Sequence, residues 1–375
     1  MKDDKQVFTR DTFTKVSDRV AANGGDTSHA GKEKLRTTGK LDPLVDPAGY
    51  GLIRRSITRF SEMPDGKLLL SNGIAMLIEN LGDTTGSMGK NVKLMFDNLP
   101  LLYALLTEGK HPVLGRYDPQ ILNATFGDCV DSIPFLQRSQ AEMAEKIATQ
   151  LTLMIPTNGG GGNNGEDPQF GLFAAAYLTK AAINNYGLKY YHFIVTDEPC
   201  HEFLDKKSLE LVFGEEVFEK VKENTEKNFS AHNLPSMAEI VLTLKKQAHV
   251  FAIVISSHAD SIYDYWTRVY GDDHVILLES TEHLPYVQAT LIGLTEGVLD
   301  LTDIPEYLKN AGLNPADARK IQRAVVNIPI GAQTEFENFS KIPAKGSIFA
   351  QKTDLWPTEH GAENKVSTGK DTWSL

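Results

Sequence analysis

The sequence predicts an α/β protein with a doubly wound, mostly parallel central sheet flanked by helices, carried between N- and C-terminal arms. Three observations lead there. From residue 74 onward, apolar strand-like runs alternate with amphipathic helical stretches. The run Tyr190–Thr196 is continuously apolar, as expected of a parallel strand covered on both faces. That run and the mostly apolar run 74–81 each lead into an acidic loop, which is where an open parallel sheet binds its ligands.

The elements follow in order. Residues 1–48 are polar, rich in Lys, Asp, Thr and Gly, and read as a flexible arm that docks by a short helix. Residues 49–70, with Ile53, Ile57, Phe60 and Leu68 to Leu70, read as a lead-in packed on the body. The first strand is 74–81. A helix is expected over 89–106, where Val92, Met95, Leu99, Leu102 and Leu105 recur near helical spacing. A second strand, 121–126, runs into Gly127 and Asp128. Met143, Ile147 and Leu151 place a helix over 140–153. The Gly-rich loop 158–167 opens a helix over 168–184, with Asp167 and Pro168 as start signals. After Tyr190–Thr196 comes a charged helical stretch, 202–246, then a strand at 250–255. A short helix (262–269), a short strand (274–278) and a helix (284–296) complete the pattern. The expected organisation is an arm and lead-in over 1–70, the α/β domain over 71–300, a helical extension over 301–330 and an extended tail over 331–375.

Composition narrows the function. The 375-residue chain carries a formal net charge of −11, with the acidic excess between residues 71 and 330. A dedicated nucleic-acid binder needs a basic surface, so that class is excluded. Two cysteines, Cys129 and Cys200, make no disulfide framework and fit a reducing compartment. The first residues lack the apolar core of a signal peptide, and no window reaches 18 apolar residues. A cytoplasmic protein without a membrane span is expected.

The most informative segment is Asp83-Thr84-Thr85-Gly86-Ser87. It places a carboxylate and two hydroxyls, those of Thr85 and Ser87, at the end of a strand. Hard oxygen ligands on one short loop suit Mg²⁺ or Mn²⁺. Asp, Ser and Thr before a helix are also common N-caps, so the loop has two readings. A phosphate-binding loop does not fit, because Gly89-Lys90 is followed by Asn91 and has Thr84 where the motif needs Gly. A haloacid-dehalogenase-type pair does not fit either, since position 85 is Thr rather than Asp. Cys200-His201-Glu202 lacks a second ligand pair at zinc spacing and reads as polar residues on the surface. Asp128 and Asp131 read as loop carboxylates, with Asp128 a candidate for a supporting role. Trp266 reads as core. His274 and His283 have no evident partner, and no nucleophile motif appears.

Three motifs together resemble the von Willebrand factor type A (vWA) family. Asp83-Thr84-Thr85-Gly86-Ser87-Met88 is similar to its Asp-x-Ser/Thr-x-Ser metal-ion-dependent adhesion site. Phe193-Ile194-Val195-Thr196-Asp197 is similar to its strand ending in Thr-Asp. The Gly-rich segment 159–166 lies where the family places a middle metal loop. The resemblance covers roughly residues 70–300 and departs at two places. No Thr occurs between Asn158 and Asp167, and Glu198 follows Asp197 where Gly is common. It implies a Rossmann-like vWA fold with a bound Mg²⁺ or Mn²⁺. Asp83, Thr85, Ser87 and Asp197 would be ligands, directly or through water. Asn163 would supply a neutral oxygen in place of the missing Thr, and Asn164, Glu166, Asp128 and Glu198 would lie around them. The implied role is non-catalytic capture of a carboxylate from a partner protein within an intracellular assembly, for instance with an AAA+ ATPase or a multi-protein complex. Neither nucleic acid nor membrane is expected as partner. Two alternatives stay open: a metal-dependent hydrolase or phosphatase using Asp83, Asp128 and Asp197, and a structural assembly protein with a vestigial metal loop.

Overall fold

In a computed structural model, the described residues are 29–109, 112–129, 135–157, 159, 165–256, 260–351 and 354. Six strands form one sheet: β1 (Ile74–Asp83), β2 (Tyr117–Phe126), β3 (Leu136–Arg138), β4 (Tyr190–Thr196), β5 (Ala248–Ile255) and β6 (Val275–Leu278). Their spatial order is β6-β5-β4-β1-β2-β3. All neighbours are parallel except β2 and β3, which pair antiparallel at the edge. The order starts at β1, winds outward to β3, then returns to the other side of β1 for β4. The switch in winding direction therefore lies between β1 and β4. Every residue of β1, β2, β4 and β5 is buried.

The helices are α1 (His29–Thr38), α2 (Lys90–Asn98), α3 (Leu101–Thr107), α4 (Glu145–Leu151), α5 (Pro168–Tyr177), α6 (Lys206–Phe213), α7 (Val217–Thr225), α8 (Met237–Gln247), α9 (Ser261–Tyr270), α10 (Leu284–Thr295), α11 (Ile304–Asn310) and α12 (Pro315–Ala324). Two contacts at the end of β1 show that they cover both faces. A Cβ on Gly82 would come within 2.5 Å of Met95 Sδ on α2, and a Cβ on Gly171 of α5 within 2.5 Å of Leu81 Cδ1. Leu81 and Gly82 are adjacent on a strand and so project to opposite sides. Hence α2 and α5 lie on opposite faces of β1, at the closest approach their side chains permit. Both α5 and α10 are buried along their whole length, so neither shows a polar stripe.

Several elements differ from the sequence expectation, each for a local reason. The 89–106 helix is two helices, broken at Leu99-Pro100, because Pro removes a helical N–H and clashes with the preceding turn. The 168–184 helix stops at Tyr177, where Thr179 and Lys180 pair with Arg54 and Arg55 of the lead-in. A 3₁₀ turn, Ala182–Tyr186, follows. The 202–246 stretch is three helices, the last opened by a Ser236–Glu239 capping box. Within the 331–351 segment, Gln333, Phe336 and Ile342 are buried, and Ile348–Phe349 pairs with Leu68–Leu69. Trp266 is fully buried, as read from the sequence. Among the described residues no helix is long and apolar enough to cross a membrane.

Candidate metal centre

Parallel strands deliver their carboxyl ends to one edge of the sheet, and the two central strands deliver Asp83 and Asp197. Gly82 of β1 pairs in register with Val195 of β4, so Asp83 and Thr196 follow side by side across the switch point. Asp83 is fully buried. Its Oδ1 accepts from the Thr85 backbone N–H (2.9 Å) and from Thr85 Oγ1 (2.6 Å). Its Oδ2 accepts from Thr196 Oγ1 at 3.0 Å. Thr85 Oγ1 lies 3.0 Å from Ser87 Oγ, and Ser87 Oγ donates to Asp197 Oδ1 at 3.0 Å. The oxygens of Thr196, Asp83, Thr85, Ser87 and Asp197 thus form one connected chain whose ends are sequence neighbours.

The helix start shows whether the loop caps α2. The first helical residue of α2 is Lys90, its N-cap is Gly89, and no side chain caps it. The side-chain oxygens of Asp83, Thr85 and Ser87 bond to each other, to the Thr85 N–H, to Thr196 and to Asp197 instead. The cap reading is thereby corrected.

A hydrogen count sharpens the chemistry. Three oxygen contacts link Asp83 to Asp197 through Thr85 and Ser87, and the two hydroxyls supply one hydrogen each. With both carboxylates ionised, Thr85 gives its hydrogen to Asp83 and Ser87 gives its hydrogen to Asp197. The Thr85–Ser87 contact is then two facing lone pairs. A proton on a carboxylate relieves this, and so does a cation among the oxygens. Burial pushes the Asp83 carboxyl up to about 7, against the opposing bonds of Thr85 and with Asp197 adding to the rise. Burial also raises Asp197. Glu198 is raised too, by burial and then by Asp197 and Asp260. A hard divalent cation fits this donor set of two carboxylates and two hydroxyls.

The neighbouring segments brace the Asp83 loop. Thr157 Oγ1 donates to the Thr84 carbonyl at 2.9 Å, and Thr84 Oγ1 donates to the Phe126 carbonyl at 2.9 Å. The Gly86 N–H donates to the Gly159 carbonyl at 2.5 Å. These bonds fix the Asp83 loop against the Gly-rich loop. Asn163, Asn164 and Asp131 lie outside the described residues. Glu198 is tied by its backbone, its carbonyl accepting from Trp266 Nε1 at 3.1 Å.

Cys200, read from the sequence as part of a surface polar run, is buried, and His201 beside it is half-buried. Asp128 is fully buried and Glu166 nearly so. Asp128, Asp167 and His201 bring their ligand-capable atoms within 4.8 Å of one another. They come from three separate loops, after β2, before α5 and after β4, and together could hold a divalent metal. Asp128 thus belongs to this second group and not to a common cluster with Asp83 and Asp197. Asp167 looked like a helix cap, yet its side chain caps nothing. It accepts from the Cys129 N–H (2.7 Å), Gln169 Nε2 (2.6 Å) and His201 Nδ1 (3.3 Å). Burial works against its charge, but the bonds from Cys129 and Gln169, with His201 beside it, hold it below the usual carboxylate range. The Cys129 thiol is pushed up to about 12 by burial and Asp167, so it is no activated nucleophile.

No known family profile matches the chain, and no curated protein matches it. Among solved structures it is similar to proximal thread matrix protein 1 of the mussel byssus, at 12% identity over 60% of this chain and 48% of that one (TM-score 0.35). A second structure of that mussel protein, described as having a zinc-occupied MIDAS motif, matches at 14% identity over the same shares (TM-score 0.35). The pilus adhesin SpaC of Lactobacillus rhamnosus GG matches at 14% identity over 61% of this chain and 32% of that one (TM-score 0.37). The match spans about half of the mussel protein and a third of the adhesin. Likeness at this level bears on neither family nor function.

Proposed function

We propose that the chain is a protein-interaction module of vWA type that binds through a divalent ion, Mg²⁺ or Mn²⁺, held by Asp83, Thr85, Ser87 and Asp197. The observation that carries this reading is the oxygen chain at the switch point, which has one hydrogen too few when both carboxylates are charged. Hydroxyl ligands are neutral, so an ion held there would keep attraction for an incoming carboxylate. The occupant proposed is an Asp or Glu of a partner protein. Asp83, buried and braced by Thr85 and Thr196, would anchor the ion, and the exposed Ser87 would face the partner.

A hydrolase built on Asp83, Asp128 and Asp197 finds less support, because Asp128 is grouped with Asp167 and His201 instead. The test is capture of partners from native lysate by the full chain, followed by binding to the purified partner. Binding is expected to need Mg²⁺ or Mn²⁺, to vanish in EDTA, and to be lost in Ser87→Ala and on replacing one partner carboxylate. A partner that binds equally well in EDTA and to Ser87→Ala would overturn the reading.

A further inference from the structure

The Asp128, Asp167 and His201 group is distinct in chemistry from the Asp83 loop. Asp83 and its partners are all oxygen donors, whereas this group adds an imidazole. Nitrogen donors shift preference from Mg²⁺ toward borderline ions such as Zn²⁺ and Co²⁺.

Backbone hydrogen bonds hold these residues in place. His201 N–H donates to the Glu166 carbonyl at 2.8 Å, and Glu166 N–H donates to the Pro199 carbonyl at 3.1 Å, a short parallel bridge between two loops. Asp167 N–H donates to the Gly127 carbonyl at 3.3 Å, and Cys129 N–H returns a bond to the Asp167 carboxylate. Gly165 completes the arrangement. It sits at φ +132°, and a Cβ there would fall 2.8 Å from both Cδ2 and Nε2 of His201. Only a glycine lets the loop backbone pack this closely against that side of the ring, which fixes where the imidazole sits. Charge argues the same way. Two buried carboxylates sit together, and the one ion-pair partner of Asp167 among the described residues is the half-buried His201. A cation shared among the two carboxylates and the imidazole would find oxygen and nitrogen donors within 4.8 Å of one another.

We infer that Asp128, Asp167 and His201 form a second metal site, selective for a Zn²⁺-class ion, which clamps the loops following β2 and β4 to the start of α5. His201 would coordinate through one ring nitrogen, with Asp167 able to ligate or to orient the ring from Nδ1. The site does not depend on the reading of the Asp83 loop, and the two can be tested apart.

The test uses the metal-stripped full chain. Zn²⁺ is titrated by calorimetry, and Co²⁺ by its visible absorption. The wild type is expected to bind one ion tightly at this site, with Mg²⁺ unable to displace it. Asp83→Asn should leave that binding unchanged, while His201→Gln should weaken it by about 10-fold or more, since loss of a supporting residue alone costs that much. A second readout needs no variant. The exposed Cys129 neighbours Asp167, whose charge helps to hold the thiol up, so Zn²⁺ on Asp167 should speed its alkylation and Mg²⁺ should not. Zn²⁺ binding that survives His201→Gln, that disappears in Asp83→Asn, or that leaves Cys129 alkylation unchanged would overturn the proposal.

Discussion

Asp83→Asn separates the charge of the first site from its shape. Asn keeps an oxygen for the Thr85 N–H and Oγ1 donors now on Oδ1. Its NH₂ would replace Oδ2 and face Thr196 Oγ1, which can turn its own hydrogen to the Glu198 carbonyl at 3.2 Å. Every hydrogen bond can therefore be remade, and the buried negative charge is gone. The size of the effect follows from Asp83, whose carboxyl is pushed from 3.8 up to about 7. A carboxyl raised on folding adds stability that is full below pH 3.8 and is lost as pH rises through 7. By pH 8 the metal-free wild type bears the whole cost of ionising Asp83, about 4 kcal/mol at 1.36 kcal/mol per pH unit. Relaxation and water entry reduce it, so a gain of about 2–4 kcal/mol is expected for Asp83→Asn in EDTA at pH 8. The assay is urea unfolding followed by circular dichroism. With Mg²⁺ or Mn²⁺ the order should reverse. The wild type should gain stability by ligand linkage, and Asp83→Asn should gain little. If the variant is less stable than wild type in EDTA, the buried charge is not strained. If both proteins respond equally to the ion, Asp83 does not hold it.

Two further outcomes test the frame around the site. Glu296 is fully buried, accepts from Tyr191 Oη (2.7 Å) and Tyr117 Oη (3.2 Å), and is pushed by burial from 4.5 up to about 7. Its contribution is complete below pH 4.5 and lost through pH 7, so Glu296→Gln should flatten the pH dependence of unfolding between those values by about 3 kcal/mol; an unchanged slope would refute this. Arg138 and Glu79 form a buried ion pair at 2.7 Å, with Thr179 bonded to both. Arg138→Met should cost about 3–5 kcal/mol by leaving Glu79 charged and buried, and adding Glu79→Gln should recover much of it; a double variant no better than the single one would show that packing, not charge, is at stake.

The central strands were legible in the sequence because burial on both faces writes itself as a continuous apolar run. Tyr190–Thr196 has the bounds read from the sequence, and β5 and β6 begin within two residues of theirs. What failed was the length of helices. Nothing local in Leu178-Thr179-Lys180 ends a helix; the lead-in residues Arg54 and Arg55 do, by pairing with Thr179 and Lys180 from over a hundred residues away. Pro100 divides the 89–106 stretch although the apolar spacing continues on both sides of it. Tertiary partners of this kind leave no periodic signal.

The site divides along the same line. Asp83, Thr85 and Ser87 are neighbours in sequence, so their spacing alone put them on one loop, and the strand-end position of Asp197 brought it to the same crevice. His201 offers no such cue. Its partners lie 34 and 73 positions upstream, and a lone His beside a Cys and a Glu is ordinary surface chemistry. Asp167 was disguised further, since an Asp before a Pro reads as the start of a helix whether or not its side chain caps it. The structure shows that it does not cap, and that carboxylate is then released to join Asp128 and His201. The same test, asking where each cap-like side chain sends its oxygens, removed the cap reading for Asp83. Applied to both loops, it turns two apparent helix starts into two candidate ion sites on one edge of the sheet. That edge is also where the acidic excess of residues 71–330 gathers Asp83, Asp128, Asp167, Asp197 and Glu198. An acidic surface spread evenly gains little from a cation; carboxylates drawn together and buried at strand ends must share a proton or a cation, which is why the EDTA and pH experiments bear on the same residues.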